Sequence, residues 1–278
     1  MSRVRRVGWW LAIVSSVSHA EVTLDGSMGP AGPLPGPEFQ VEARFGRLVG
    51  TNLFHSFEEF RLNSAQTATF NDSGAMGSIE NILGRVTGPT VSEIDGAIRT
   101  RFQNSAPNLF LLNPAGLTFG PNATLDVQGS FHASTADSIK LGDGIQFDAV
   151  PTANDALLTT APPRAFGFLP SDQSEQRPIT VSGSKLGVPT GESLSFVGKG
   201  DPRVFPFGSI AQIGAVHVES GVLDAPGGQV DVVQARSNSE VLIKRPIRLY
   251  PQMDRKIRFV LLISTSWKTS LSTPERSR

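Results

Sequence analysis

The apolar positions of this chain fall in short runs, each closed by turn-forming residues. The central stretch shows the pattern best. Leu109 to Leu112 is continuously apolar, too short to argue for a helix, and Asn113-Pro114-Ala115-Gly116 closes it. In that turn Pro114 fixes φ at the second position and Gly116 tolerates φ > 0 at the fourth. Leu117-Thr118-Phe119 then alternates apolar and polar, Gly120-Pro121-Asn122 turns again, and Leu125-Asp126-Val127 alternates once more. The pattern predicts strand, turn, short strand, turn, strand from 106 to 127. Strands this short on turns this tight fit a coil that bends at fixed corners better than a wide sheet with long hairpins.

Upstream, Phe39-Gln40-Val41 reads as a strand after a Gly/Pro-rich extended loop at 28–37. Aromatics at 54, 57 and 60 fit one face of a helical turn or a bulged strand. Irregular β is preferred, because Thr67-Ala68-Thr69-Phe70 follows as a strand, and the rings are read as core at a capping turn. Ile79, Ile82, Leu83 and Val86 are helix-spaced, yet Gly84 and Gly88 interrupt them, so one helical turn and two short strands both stay open. The polar stretch 92–104 reads as an outward turn. Alternation weakens over 129–144, and five prolines between 151 and 178 mark 150–178 as a loop-like surface excursion.

From Ile179 a new rhythm begins. Ile179-Thr180-Val181, Leu194-Ser195-Phe196-Val197, Val216-His217-Val218, Val222-Leu223 and Val230-Asp231-Val232-Val233 are separated by turn groups such as Pro189-Thr190-Gly191 and Pro226-Gly227-Gly228. One short strand per roughly seven residues gives about three strands and about 20 residues per turn of a solenoid, the mark of a parallel β-helix. A sandwich or jelly roll is the alternative on pattern alone.

Composition agrees with an all-β chain. The 278 residues carry 28 Gly and 20 Pro, and only 18% are charged. Twenty-five basic residues balance 25 acidic ones, so bulk charge gives no argument for nucleic acid. Cysteine is absent, which removes disulfides, thiolate metal sites and cysteine nucleophiles. At the N-terminus, Arg3, Arg5 and Arg6 precede an apolar run from Val7 to Val17, and Ser18-His19-Ala20 follows with small residues. This is the layout of an export signal over 1–20, cleaved after Ala20. The stretch 244–278 breaks character, with nine basic residues against two acidic ones and an apolar run at 258–263. It reads as a cap over the last coil, or as a truncation or shifted reading frame, leaving 21–243 as the main domain.

Candidate chemistry is sparse. Asp126, Asp137, Asp143, Asp148, Asp201 and Asp231 are scattered, mostly beside turn residues, and no Asp-x-Asp pair shares a strand face. His55, His132 and His217 stand alone, which does not make a zinc site. A Ser-His-Asp triad stays open on sequence grounds, although there is no Gly-x-Ser-x-Gly elbow. No enzyme, cofactor or metal is expected. A polysaccharide-acting enzyme ranks below a stand-alone carbohydrate- or surface-binding module.

Several longer motifs stand in a telling order. They are Gly50-Thr51-Asn52-Leu53-Phe54-His55-Ser56-Phe57, Ile79 to Gly88, Asn108 to Leu117, Phe119-Gly120-Pro121-Asn122-Ala123 and Gly129 to Asp137. Through them the chain resembles the N-terminal secretion domain of filamentous-haemagglutinin-type exoproteins, the two-partner secretion family. The resemblance implies a right-handed parallel β-helix with an N-terminal cap and extra-helical hairpins. It implies Sec translocation, then passage through an outer-membrane β-barrel transporter whose periplasmic polypeptide-transport-associated domains bind the extended chain. It also implies an adhesin or haemagglutinin role at a host or neighbouring-cell surface, through repeats downstream. The secretion-motif residues it points to are Asn113, Pro114, Gly116 and Leu117, with Asn108, and Asn71 and Gly74. The family's Asn-Pro-Asn-Gly-Ile turn stands here as Asn113-Pro114-Ala115-Gly116-Leu117. Its earlier Asn-Pro motif, expected at Asn71-Asp72-Ser73-Gly74, lacks the proline.

Overall fold

The computed structural model describes residues 22–75, 77–170, 178–200, 215–235 and 238–243, and the backbone of 257–261. The proposed signal segment and most of the basic tail lie outside these residues.

Successive coils lay one strand on each of three parallel sheets. The first, called here the covered face, takes Asn52–Phe60, Asn81–Val86, Asn108–Leu112, Phe131–Ser134, Ser193–Lys199 and Gln229–Ala235 in that order. A narrow face takes Ser92–Ile94, Leu117–Phe119, Ile179–Ser182 and Val216–Glu219. A solvent face takes Glu38–Glu42, Thr67–Asn71, Ala97–Arg101, Thr124–Asp126, Lys185–Gly187 and Val222–Asp224. The fold is a parallel β-helix, and the sandwich alternative falls. Register partners on the covered face are 29, 27 and 22 residues apart in the first three steps, longer than the predicted coil because the corners carry extra turn residues.

Inward-pointing residues stack rung on rung. Leu53, Ile82, Leu109, Phe131, Leu194 and Val230 are register partners, and all are buried in the coil interior. The antiparallel pair Val22–Asp25 and Ala31–Pro33, together with Arg47–Val49, covers the first rung, pairing along the outer edge of Asn52–Phe60. This cap removes the open edge a solenoid would otherwise present.

Two local expectations are corrected. Asn81–Val86 is one strand with every residue buried, neither a helical turn nor two strands. Its helix-like spacing arises because apolar residues point to both sides of the sheet. The stretch 92–104 is not an outward turn. It holds Ser92–Ile94 and Ala97–Arg101, with Ile94, Ile98 and Phe102 buried. The corner between them needs Gly96, where an added Cβ would lie 2.3 Å from the Gln66 carbonyl oxygen. In the tail, Ile257–Leu261 pairs in parallel with Gln229–Ala235.

The loop-like stretch after Pro151 also gains structure. Ala153–Leu157 is a 3-10 helix and Pro163–Phe168 is a strand. That strand joins Ser138–Leu141, Gln146–Asp148 and Ser239–Leu242 in an antiparallel overlay sheet outside the coil. Its Ile139, Phe147, Phe166 and Val241 pack on Phe54, Leu83, Phe110 and Leu112, which point outward from the covered face. Both sides of the covered face are therefore buried. This explains why Leu109 to Leu112 reads as an unbroken apolar run.

One ion pair ties these layers together. The Arg85 side chain is fully buried and bonds Asp155 through both terminal nitrogens, at 2.8 and 2.7 Å. Its remaining donors reach Ser56 Oγ at 2.7 Å, Ser27 Oγ at 2.8 Å and the Asp148 carbonyl at 2.8 Å. All five guanidinium N–H groups are thus satisfied, and the guanidinium lies 4.8 Å from the Phe147 ring centroid. Cap, coil and overlay meet at this one cation. Removing one partner of a buried pair strands the other charge. Arg85→Ala is expected to cost about 3–5 kcal/mol, read as a lower urea midpoint at unchanged m-value. Arg85→Met with Asp155→Leu is expected to recover most of that loss, and a single-variant cost below about 1 kcal/mol contradicts the clasp.

Candidate functional site

The strand Asn108–Leu112 carries an asparagine at its entrance and another just past its exit. At the entrance, Asn52, Asn81 and Asn108 occupy one register column. Asn81 Nδ2 donates to Asn52 Oδ1 at 3.0 Å, and Asn108 Nδ2 donates to Asn81 Oδ1 at 3.2 Å. The column continues as polar contacts: the Ser130 N–H donates to Asn108 Oδ1 at 3.1 Å, and the Ser193 N–H to Ser130 Oγ at 3.0 Å. At its other end Asn52 Nδ2 donates to the carbonyls of Thr159 and Ala161, which reach over from the overlay segment. Sequence reasoning singled out Asn108 but missed Asn52 and Asn81 as its partners. The signal was present in the thrice-used pattern Asn52-Leu53-Phe54, Asn81-Ile82-Leu83 and Asn108-Leu109-Phe110.

At the exit, Asn113 is fully buried. Its Nδ2 donates to the Thr90 carbonyl at 3.1 Å and to Ser92 Oγ at 2.9 Å, both one coil earlier. Its Oδ1 accepts from the Ala115 N–H at 2.8 Å, closing an Asx turn, and its carbonyl accepts from the Gly116 N–H at 3.1 Å. Its own N–H reaches the Ser134 carbonyl one coil later. One side chain therefore fixes the covered-to-narrow corner of two coils. Gly116 sits at φ 123°, where an added Cβ would lie 3.2 Å from the Pro178 carbonyl oxygen. Leu117 then enters the narrow face, fully buried between Ser92 and Ile179. Pro114 stands in the turn itself.

Asn71 and Gly74 lie elsewhere, in the turn after the solvent-face strand Thr67–Asn71. Asn71 Oδ1 accepts from the Ser73 N–H at 3.0 Å, and its Nδ2 donates to Gln40 Oε1 at 3.1 Å. Gly74 has φ 82°, and Arg44 donates its N–H to the Ser73 carbonyl beside it. This turn works without its proline because asparagine and glycine supply the Asx bond and the positive φ. It closes the corner opposite Asn113, so the two motifs share a role in shaping corners but not a location.

Among the described residues, which leave out Asp201, the other chemistry-bearing side chains form no catalytic triad. His132 Nδ1 lies 2.6 Å from Ser195 Oγ, and Asp231 is the register partner of Ser195 one rung further. The serine thus stands between histidine and aspartate, whereas a hydrolytic triad needs the histidine in the middle. Asp231 instead accepts from Gln229 Nε2. Among the described residues no three His, Asp or Glu side chains group as metal ligands.

The TPS secretion domain model, for two-partner secretion, matches residues 46–250, spanning the stacked coils from the first covered-face strand onward. The chain belongs to this family. No curated protein matches it. Among solved structures, the HMW1 secretion domain from Haemophilus influenzae is similar at 17% identity and a TM-score of 0.47. The similarity covers 89% of this chain and 51% of that one, so the chain spans about half the length of that relative. As a TPS secretion domain it is the secretion module of a two-partner-secreted exoprotein.

Two histidines of this TPS domain are buried without charge partners. His55 points into the coil, against Phe57 and Phe70, and neither ring nitrogen has a hydrogen-bond partner. Burial lowers its pKa to about 3. His132 stacks on Phe110 with centroids 4.5 Å apart, and burial lowers its pKa to about 4. Both are neutral when folded and titrate near their ordinary value of 6.5 when unfolded. Their contribution is therefore complete above pH 6.5 and is lost as pH falls from there toward 4 and 3. Stability is expected to fall by up to about 1.4 kcal/mol per pH unit for each histidine between pH 6.5 and 4.5. Asp25 titrates below this window: burial raises its pKa, but bonds from Ser56, Ser27 and Thr87 outweigh that and lower it from 3.8. Urea midpoints at pH 7 and pH 5 check the slope. Replacing both histidines by phenylalanine is expected to flatten it, and an unchanged slope contradicts the assignment.

Proposed function

We propose that this domain is the signal by which a dedicated outer-membrane β-barrel transporter exports an adhesin- or haemagglutinin-like protein. The precursor crosses the inner membrane through Sec and loses residues 1–20 by cleavage after Ala20. Polypeptide-transport-associated domains of the partner then hold residues of the 21–243 region in an extended form. Outside the cell the chain coils up, rung on rung, and the folded domain leads its adhesive protein to a host or neighbouring-cell surface.

The observation that carries this reading is the family match across the stacked coils. The physics of the coil supports it. Partner rungs in the early coils lie only 22 to 29 residues apart, so each closes soon after it emerges and loop closure costs little. Each completed rung offers a row of backbone donors and acceptors to the next strand. With no cysteine in the chain, folding needs no oxidative step. Free energy released rung by rung outside the barrel opposes backsliding without nucleotide hydrolysis.

The corner after Asn108–Leu112 is the place to test this. Asn113→Ala removes three side-chain hydrogen bonds at a buried site and is expected to cost about 1–3 kcal/mol. Gly116→Val forces a β-branched residue to positive φ and is expected to cost at least as much. Both variants are expected to shift protein from the medium to the periplasm when the cognate barrel is co-expressed. Ala115→Asn, which restores the family's turn, is expected to leave export at or above the starting level. Unchanged secretion of both destabilised variants contradicts the role of this corner.

A further inference from the structure

Building on the export reading, we infer that the overlay segment 138–168 is a latch on the early coils. The covered-face rungs Asn52–Phe60, Asn81–Val86 and Asn108–Leu112 close reversibly as they form. They lock only when this later stretch of chain docks on them. Order along the chain sets the sequence of events. Leu53, Ile82 and Leu109 point into the coil and meet as soon as their rungs stack. Phe54, Leu83, Phe110 and Leu112 point outward, and their cover comes from Ile139, Phe147 and Phe166 of the overlay. Until those residues arrive, the outward aromatic and leucine side chains face water, and each rung has only part of its final apolar burial.

Three polar ties cross the same boundary, and each joins groups far apart in sequence. Arg85 takes Asp155 and the Asp148 carbonyl as partners, and Asp155 lies 70 residues later in the chain. Asn52 Nδ2 donates to the carbonyls of Thr159 and Ala161, at 3.2 and 2.8 Å. Arg47, on the strand that covers the first rung, donates from Nη1 to the Asp155 carbonyl at 2.5 Å. The seat for the segment is close-fitting. Gly50 sits at φ 61°, and a Cβ added there would lie 2.5 Å from Thr160 Cγ2. Met28 of the cap belongs to the same apolar layer as Phe54 and Phe147.

None of these ties can form while residues 148–161 are still inside the barrel. Contacts of such long sequence separation form late, after local ones. The early coils can therefore reopen during export, and their closure opposes backsliding only weakly at first. Docking of the segment changes this in one step. It buries the outward side chains, fills the remaining donors of Arg85 and joins the cap to the coil, so the exported stretch no longer returns. Ser239–Leu242 later pairs with Pro163–Phe168 and reinforces the closed latch from the far end of the domain.

Hydrogen exchange read by mass spectrometry on the full chain tests the latch without a transporter. In pulse labelling during refolding, amides of Asn52–Phe60 and Asn81–Val86 are expected to gain full protection in the same phase as those of Pro163–Phe168. In the folded protein, Asp155→Asn keeps the size of the side chain but removes its charge. It is expected to speed exchange in both early rungs by about tenfold or more, while the narrow-face strand Ile179–Ser182 stays within about twofold. Full protection of the early rungs in a phase that precedes protection of Pro163–Phe168 overturns the latch. So does Asp155→Asn exchange that is unchanged, or that rises equally in Ile179–Ser182. The refolding arm uses the unaltered chain, so it decides the matter even if the variant fails to fold. A chain that latches in this way but is not secreted when the cognate barrel is co-expressed overturns the export reading and leaves the latch standing.

Discussion

The structure depends on register. In a parallel coil every strand takes its backbone partners from the rungs on either side, and a slip of one residue would turn each inward side chain outward. Leu53, Ile82, Leu109 and Phe131 stay in line because polar side chains at the strand ends allow only one alignment. At the entrance, the Asn52–Asn81–Asn108 ladder joins side chains of identical length across adjacent rungs. At the exit, Asn113 bonds one coil back through its side chain and one coil forward through its backbone. A shifted register would break these buried bonds together, and buried polar groups without partners are costly.

Register alone leaves the covered face half naked. Its outward side carries Phe54, Leu83, Phe110, Leu112 and Val197 among polar residues, and the overlay sheet covers them. Arg85 decides where that sheet sits. Apolar packing is non-directional, but a guanidinium with all five donors bound accepts a single placement of Asp155 and the Asp148 carbonyl. The same cation holds Ser27 of the cap and Ser56 of the first rung. The coil supplies the length of the molecule, and one buried cation joins its first rungs to cap and overlay.

Much of this was legible in the sequence. The short apolar runs, the Asn-Pro-Ala-Gly turn and the rhythm after Ile179 pointed to a β-helix. The motifs from Gly50 to Asp137 pointed to the secretion family. Three features resisted for physical reasons. A strand buried on both sides loses its two-residue period, so Asn81–Val86 mimicked a helix. Ser92–Ile94 and Ala97–Arg101 hid because only every other residue meets the core while the rest face water. The clasp was invisible because Arg85 and Asp155 are 70 residues apart, and neither sits in a local pattern that betrays the other. The Asn113 corner was read as a turn held by its proline and glycine, whereas its side chain binds the neighbouring coil as well.

A double-mutant cycle on Asn52 and Asn81 asks most directly whether the ladder pins the rungs to one another. Alanine at each position alone and at both together, followed by urea unfolding, gives the coupling between adjacent coils. The account predicts a coupling energy of about 1 kcal/mol or more. Losses that add to within about 0.3 kcal/mol would mean that the rungs keep their alignment without it, and the central claim would be wrong.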